Sequence, residues 1–456
     1  MKQRTLLLVS YHYPPVGGSG VQRAEKLARY LPAAGWRVHV LTAGHAHFPI
    51  LDTDGLVERA EGVMVHRVRG LEPGALAARL CGWVPRRGRA ASEPGRLENS
   101  LYWRLDRWMQ RLRLPEPEWL WMPSAVRAAR RIILDHDIDA VVTTSPPHSV
   151  QEVGRRLHRQ CGIPWIADLR DPILDNFAYA PRTGSADRRW RRLEAATLHE
   201  ATRVVVSCPD WLDPLHRRYG DALAEKCSVV PNGYDPADRP PEPRPTRPTG
   251  DRFVLAHVGS FYRAQSMAQV LTAVRRVTSR RPETAGRFEL RVVGSVSARD
   301  RRHLLDSDDA FLRLAGYRTH REAVVEMARA DALFLMTPAD PRGRFCIPAK
   351  VFEYLAFGPH IIALVHADSA TERILAEAGN VTLVRHGEAD GLERAIVACH
   401  AAWSRGQLNE SRARDVVARF RRDRLARQYA QILSTCAIGS AAPGQIPAPE
   451  AMWGAA

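Results

Sequence analysis

The sequence predicts an α/β protein with two halves, each built from alternating buried strands and amphipathic helices, and three observations carry that reading. Thr5–Ser10 is an apolar run that ends in a proline- and glycine-rich turn, Pro14-Pro15-Val16-Gly17-Gly18-Ser19-Gly20. Behind the turn Val21, Ala24, Leu27, Ala28 and Leu31 share one helical face, and after Gly35 the run Trp36–Thr42 completes a β-turn-α-β unit. A proline-rich stretch, Pro236–Pro248, reads as an extended linker, and a second α/β half starts beyond it at Phe253–Val258. Finally, Pro348–Gly358 reads as a turn, a short helix with one acid and a glycine stop, followed by the buried strand His360–Val365.

Composition agrees with this and narrows the function classes. A chain of 456 residues is long enough for about two or three domains. The formal charge of +16 comes mostly from arginine and favours anionic partners such as nucleotides or phospholipid headgroups. No stretch approaches the roughly 18 apolar residues of a spanning helix, and Leu6–Ser10 is too short for a secretory signal. The seven cysteines (Cys81, Cys161, Cys208, Cys227, Cys346, Cys399 and Cys436) lack CxxC or zinc spacing. A reduced, cytoplasmic setting is expected, without a structural metal.

The remaining elements follow in order. Residues 71–122 interrupt the alternation; they are rich in arginine and proline and hold five of the chain's 11 tryptophans (Trp83, Trp103, Trp108, Trp119 and Trp121). Such interleaving suits a packed excursion on the first domain, an acceptor pocket in which Trp103 and Trp108 are the candidates, or a membrane interface at the inner leaflet. No nucleic-acid-binding module is recognised, so no nucleic acid is expected. Ser124–His136 is then a helix, Ala140–Thr144 a strand, Ser145–Ser149 a loop opening a helix to about Gln160, and Pro164–Asp168 a strand. Ligand-binding residues of parallel sheets collect beyond the carboxyl ends of strands, where His148 and the group Asp168, Arg170 and Asp171 fall. Val204–Ser207 is a further strand.

In the second half Phe288–Gly294 and Ala332–Met336 are strands, Arg318–Arg329 a helix, and Ser411–Leu433 a C-terminal helix; the last 20 residues read as a tail. The helix that starts near Lys350 points free N–H groups at its amino end, which suits a phosphate, and Glu353 lies one turn on, where a carboxylate accepts from a ribose diol. Backbone N–H groups around Cys346 and Ile347 are further diphosphate candidates. The first glycine turn is not G-x-G-x-x-G and no acid ends the next strand, which disfavours NAD.

Pro348-Ala349-Lys350-Val351-Phe352-Glu353-Tyr354-Leu355-Ala356-Phe357-Gly358 resembles the donor-nucleotide segment of family-four GT-B retaining glycosyltransferases (glycosyltransferase group 1 type), of the form P-x-K-x-x-E-Y-L-A-x-G. Tyr11–Arg23 is similar to that family's N-terminal glycine motif, and Pro231-Asn232-Gly233-Tyr234-Asp235 to its P-N-G-x-D at the domain junction. The resemblance covers about residues 4–433. It implies a GT-B architecture, two Rossmann-like doubly wound domains facing a cleft, with 1–235 on the acceptor side, 236–410 binding the nucleotide sugar, 411–435 a helix crossing back and 436–456 a tail. It places Gly17 and Gly18 at the donor diphosphate and acceptor, His148 on the donor sugar and Tyr317 beside the base, with Lys350 in the donor motif. Three positions depart from the pattern. Ser260 stands where an arginine is usual, Gln265 near the usual lysine, and Phe345 where the first acid of a pair precedes Glu353. Arg263 is the candidate replacement cation.

The activity so implied is transfer of a sugar, with a UDP-sugar favoured, to an acceptor hydroxyl with retention of configuration, in glycan, polysaccharide or natural-product biosynthesis. Catalytic candidates are His148, Asp171 and Glu353; no metal and no cofactor beyond the donor substrate are expected. Alternatives are a sugar-nucleotide epimerase of the same fold and a non-catalytic sugar-nucleotide-binding protein. A metal-dependent GT-A enzyme is disfavoured, because Asp137-Ile138-Asp139 precedes its strand instead of following one.

Overall fold

The computed structural model describes residues 3–44, 61–70, 116–179, 183–240, 252–259, 267–281, 286–294, 296, 309–388, 390–408 and 412–437. The chain divides into two compact units: residues 1–175, 180–231 and 422–456 form the first, 176–179 and 232–421 the second.

In the first unit the elements run β1 (Arg4–Ser10), α1 (Ser19–Tyr30), β2 (Trp36–Ala43), β3 (Val63–Val68), α2 (Met122–Asp135), β4 (Ala140–Ser145), α3 (Val150–Cys161), β5 (Trp165–Leu169), α4 (Gly184–Glu200), β6 (Arg203–Val206), α5 (Leu212–Tyr219) and β7 (Cys227–Val229). All seven strands are parallel, in the order β3-β2-β1-β4-β5-β6-β7. The order reverses between β1 and β4, the place where an open parallel sheet leaves a crevice at its carboxyl edge. Leu6, Leu8, Val38, Val40 and Val142 form a core with Ala24, Leu27 and Ala28 of α1. Leu6–Val9 of β1 is apolar on both faces, as expected where helices cover both sides of a parallel sheet.

The second unit contains β8 (Phe253–Val258), α6 (Ala268–Arg280), β9 (Phe288–Val293), β10 (Leu312–Gly316), α7 (His320–Arg329), β11 (Ala332–Met336), α8 (Lys350–Phe357), β12 (His360–Val365), α9 (Ala370–Ala378), β13 (Val381–Arg385), α10 (Gly391–Ser404) and α11 (Arg414–Ala418). Its six strands are parallel, in the order β10-β9-β8-β11-β12-β13. Here the reversal lies between β8 and β11. Phe253, Leu255, Phe334 and Ile362 form the core with Val270 and Val274 of α6 and Trp403 of α10.

The expected helix Ser411–Leu433 is instead two. It stops as α11 and restarts as α12 (Arg422–Ala437), which belongs to the first unit, where Tyr429 and Leu433 join the core beneath α1. The break has a local cause. Phe420 is buried 4.8 Å from Phe352, and its carbonyl accepts from Tyr234 N at 3.0 Å, so the chain leaves the helical path there.

The tryptophan-rich segment is described only from residue 116. Within that part Trp121 is fully buried, edge-on to Tyr11 at 5.4 Å and donating to Val68 O at 3.0 Å, so it serves the core. Trp103 and Trp108 lie outside the described residues, as does Arg263. Among the described residues no helix is long and apolar enough to cross a membrane.

Candidate functional site

In the second unit the sequence candidates gather at the β8/β11 switch point. Tyr354 of α8 is fully buried; its hydroxyl accepts from Val258 N at 2.7 Å and donates to Val258 O at 3.0 Å. This satisfies both backbone groups at the tip of β8 and pins α8 against it. One turn earlier, Lys350 Nζ lies 2.9 Å from His257 Nε2. His257 Nδ1 sits 2.9 Å from Phe334 O. A carbonyl only accepts, so Nδ1 carries the proton and Nε2 offers its lone pair to the lysine. Burial, with Lys350 beside it, holds His257 well below the ordinary histidine range and therefore neutral.

Lys350 as a residue is half-buried, but its ammonium is enclosed. Desolvation pushes it down to about 7 from 10.5, with Cys346 and Glu353 pulling the other way. A Cβ at Gly259 would stand 2.7 Å from Lys350 Nζ, and Gly259 has φ 125, so only glycine leaves room for the lysine to reach the β8 tip. The sequence places no cation at the usual loop positions after β8; Lys350 brings one to the same strand end from α8.

Glu353 is buried in the first turn of α8, and its Oε1 accepts from His320 Nε2 at 2.8 Å. His320 opens α7 directly after Thr319, whose capping box with Glu322 fixes the helix start. Its Nδ1 lies 4.0 Å from Asp238 Oδ2. His320 thus orients Glu353 and was not singled out from the sequence, where 33 residues separate them. Tyr317, half-buried, stands three residues before it in the same β10–α7 connection. The expectation for Cys346 changes: its N–H donates to Gly343 O at 3.0 Å and closes the turn before α8, so that group is already engaged. Ile347 is buried beside it. Phe345 lies under the Arg344 guanidinium, 5.9 Å from the ring centre.

In the first unit the glycine turn follows β1 and the Ser145–Ser149 loop follows β4, at the other switch point. Two arginines build this end. Arg23 of α1 is fully enclosed. It grips Asp168 with Nη2–Oδ1 at 2.7 Å and Nε–Oδ2 at 2.9 Å, and donates through Nη1 to Pro231 O at 2.9 Å. Thr144 Oγ1 adds a 2.6 Å bond to Asp168 Oδ2. Arg170 donates to three carbonyls, those of Ser145 (3.0 Å), Gly20 and Pro146. Asp168 and Arg170 therefore tie the glycine turn to β4 and β5 instead of facing a ligand. Arg23, missed in the sequence, lies 145 residues from its partner.

His148 lies in the loop after β4, as the sequence places it, and is buried there. It has no exposed surface; its ring stands edge-on to Trp190 at 5.8 Å and Nδ1 lies 3.2 Å from Ser145 Oγ. Ser149 N donates to the buried Glu116 Oε2 at 2.8 Å, so the amino end of α3 already holds a carboxylate. In this conformation His148 is enclosed beneath the Ser145–Ser149 loop. Asp171 keeps its candidacy. Its carboxyl is enclosed and raised above the ordinary range by burial, against the pull of Arg170.

Gly18 is exposed at the N-cap of α1 with φ 100 and ψ 166, and a Cβ there would meet nothing within 4 Å. Space is available, but the backbone conformation suits only glycine, at a cost of about 1–3 kcal/mol for another residue. Gly17, beside it, is half-buried. Gly18→Val is expected to keep the native circular dichroism spectrum and nucleotide affinity while sugar transfer falls at least about tenfold. Unchanged transfer would remove the turn from the reaction.

Residues 17–233 match the family model described as "Glycosyl transferase 4-like domain". No curated protein matches the sequence. Among solved structures, sucrose-phosphate synthase from Thermosynechococcus elongatus is similar at 17% identity and TM-score 0.67, covering 96% of this chain and 100% of its own. The Anabaena protein HepE in complex with UDP-glucose gives 14% identity and TM-score 0.62, covering 94% and 99%. An α,α-trehalose-phosphate synthase (UDP-forming) from Burkholderia vietnamiensis gives 12% and 0.60, covering 96% and 100%. At these identities the likeness speaks for the fold, and the two parallel, doubly wound sheets are those of the GT-B architecture.

Proposed function

We propose, for a chain whose residues 17–233 belong to the glycosyl transferase 4-like domain family and whose two α/β units are those of the GT-B fold, that it moves a sugar from a nucleoside diphosphate sugar to an acceptor hydroxyl with retention of configuration. The observation that carries this is the arrangement at the β8/β11 switch point: an enclosed Lys350 ammonium at the start of α8, Gly259 opening the way to it, and Glu353 one turn on. A nucleoside diphosphate needs these groups, cations or N–H dipoles for the phosphates and an acceptor for the ribose diol. Lys350 and the amino end of α8 hold the diphosphate in this reading, Glu353 the ribose, and Tyr317 flanks the base. Uridine is favoured because the similar HepE structure contains UDP-glucose and the trehalose-phosphate synthase is UDP-forming.

Chemically, the barrier lies in charge building on the departing diphosphate, and a cation held ready in a desolvated site lowers it. The departing phosphate oxygen takes the acceptor proton, so no strong side-chain base is required, and the reaction needs no metal or cofactor. Asp171 is the carboxyl we assign to the reacting groups in the first unit.

Lys350 gives the test. With its ammonium at about 7 in the free protein, an arriving diphosphate favours the protonated form and raises that value. Affinity is therefore full below pH 7, falls as pH rises through 7, and levels off above the raised value. Calorimetric titration with UDP across pH 6 to 9 is expected to show that fall, and Lys350→Met to bind more weakly and with a flat profile. A wild-type profile as flat as the variant's would take Lys350 off the phosphates.

A further inference from the structure

Three histidines far apart in the sequence meet in the first unit. His39 lies on β2, His66 on β3 and His136 directly after α2. The β2–β3 register sets His66 opposite Leu41, two residues along from His39, so the two rings share a face of the sheet. That face is the one away from α1, since Val38 and Val40, alternating with His39, pack in the α1 core. Helix α2 covers it from the other side and delivers His136, whose ring centre stands 4.4 Å from that of His39. His39 Nδ1 and His66 Nε2 are 3.0 Å apart, and one nitrogen from each of the three rings lies within 4.8 Å of the others.

We propose that His39, His66 and His136 form a three-imidazole site for a divalent borderline metal ion such as Zn²⁺, which fastens the edge strand β3 to β2 and to the end of α2. With bonds of about 2.0–2.1 Å, nitrogens around a tetrahedral zinc stand about 3.3 Å apart. The His39–His66 spacing of 3.0 Å lies close to that value and the third nitrogen is within 4.8 Å of both, so side-chain rotations can bring all three nitrogens onto one ion. Imidazole ligands suit zinc, copper, nickel or cobalt in preference to magnesium or calcium. Three protein ligands leave a fourth position for water.

His39 and His66 are in the state a metal requires. Burial, then the neighbouring His136, His66 and Arg37, holds His39 down to about 4, and burial with His136 lowers His66. Both are neutral at pH 7 and carry lone pairs. In the neutral pair the proton between His39 Nδ1 and His66 Nε2 belongs to one ring, and on metal binding it moves to that ring's other nitrogen, so no net proton is released. A hydrogen-bonded pair by itself accounts for two histidines; the convergence of the third is what the metal explains. The site sits on the flank of the sheet formed by β2 and β3, not at the β1/β4 switch point, and the proposal is independent of sugar transfer.

The test uses the full chain, stripped with a chelator and titrated with Zn²⁺ and, separately, Co²⁺. One tight equivalent is expected, with a rise in melting temperature and the strong visible absorption of four-coordinate cobalt. His66→Gln and His136→Gln, chosen because His39 is only 1% exposed, should each weaken that equivalent at least about tenfold while keeping native circular dichroism and UDP affinity. The proposal is overturned by absence of a tight equivalent, by an equivalent that persists unchanged in both variants, or by the weak spectrum of six-coordinate cobalt. If a variant loses its fold, the cobalt spectrum of the wild type alone decides.

Discussion

Arg23→Met is expected to destabilise the first unit by about 3–5 kcal/mol, read as a fall in its urea midpoint with an unchanged slope. The cost comes from what remains. Asp168 has no exposed surface, and without the guanidinium its charge keeps only the Thr144 hydroxyl. Arg23 also holds Pro231 O, at the last residue before the chain enters the second unit, so the loss spreads from α1 to β5 and the unit's end. Combining Arg23→Met with Asp168→Asn removes the stranded charge and keeps an acceptor for Thr144, so the double variant should recover a large part of the loss. A double variant as unstable as the sum of the two singles would mean that the pair acts by shape alone.

Glu353→Gln is expected to weaken nucleotide binding by about 1–3 kcal/mol, the scale of a lost charge-assisted hydrogen bond. The amide keeps an oxygen for His320, so the fold and the α7–α8 contact should persist; what disappears is the charge a ribose diol would donate to. Because Glu353 also pulls the Lys350 ammonium upward, the variant should shift the pH dependence of binding to lower pH. Affinity and profile both unchanged in calorimetry would remove Glu353 from the nucleotide.

Much of the fold was legible because buried parallel strands announce themselves as uninterrupted apolar runs. Phe253–Val258 and Ala332–Met336 have the limits the sequence suggests, and β1, β2, β4 and β5 lie within one or two residues of expectation. Edge strands were not: β3 and β13 are only half-buried over most of their length, and their mixed composition carries no such run. The continuous C-terminal helix failed for a different reason, since a local helical pattern does not reveal that Phe420 packs on a residue 68 positions earlier.

Site residues divide in the same way. Glu353, Lys350 and Tyr354 share one turn-helix segment, where spacing alone sets their relation. His257, His320 and Gly259 join them only through sheet order, and Arg23–Asp168 and the three-histidine group only through the parallel register of the first unit. His148 shows the converse: a histidine at the right strand end, turned inward by Trp190 and Ser145.

We propose that the second unit holds a nucleoside diphosphate sugar at α8. The most direct test is the change in melting temperature of the full chain across UDP-, GDP- and dTDP-sugars, since a ligand that binds only the native state raises it by mass action. A UDP-sugar is expected to raise the midpoint most, with the rise diminished in both Lys350→Met and Glu353→Gln. No rise with any nucleotide sugar, or a rise equal in the wild type and both variants, would contradict the account.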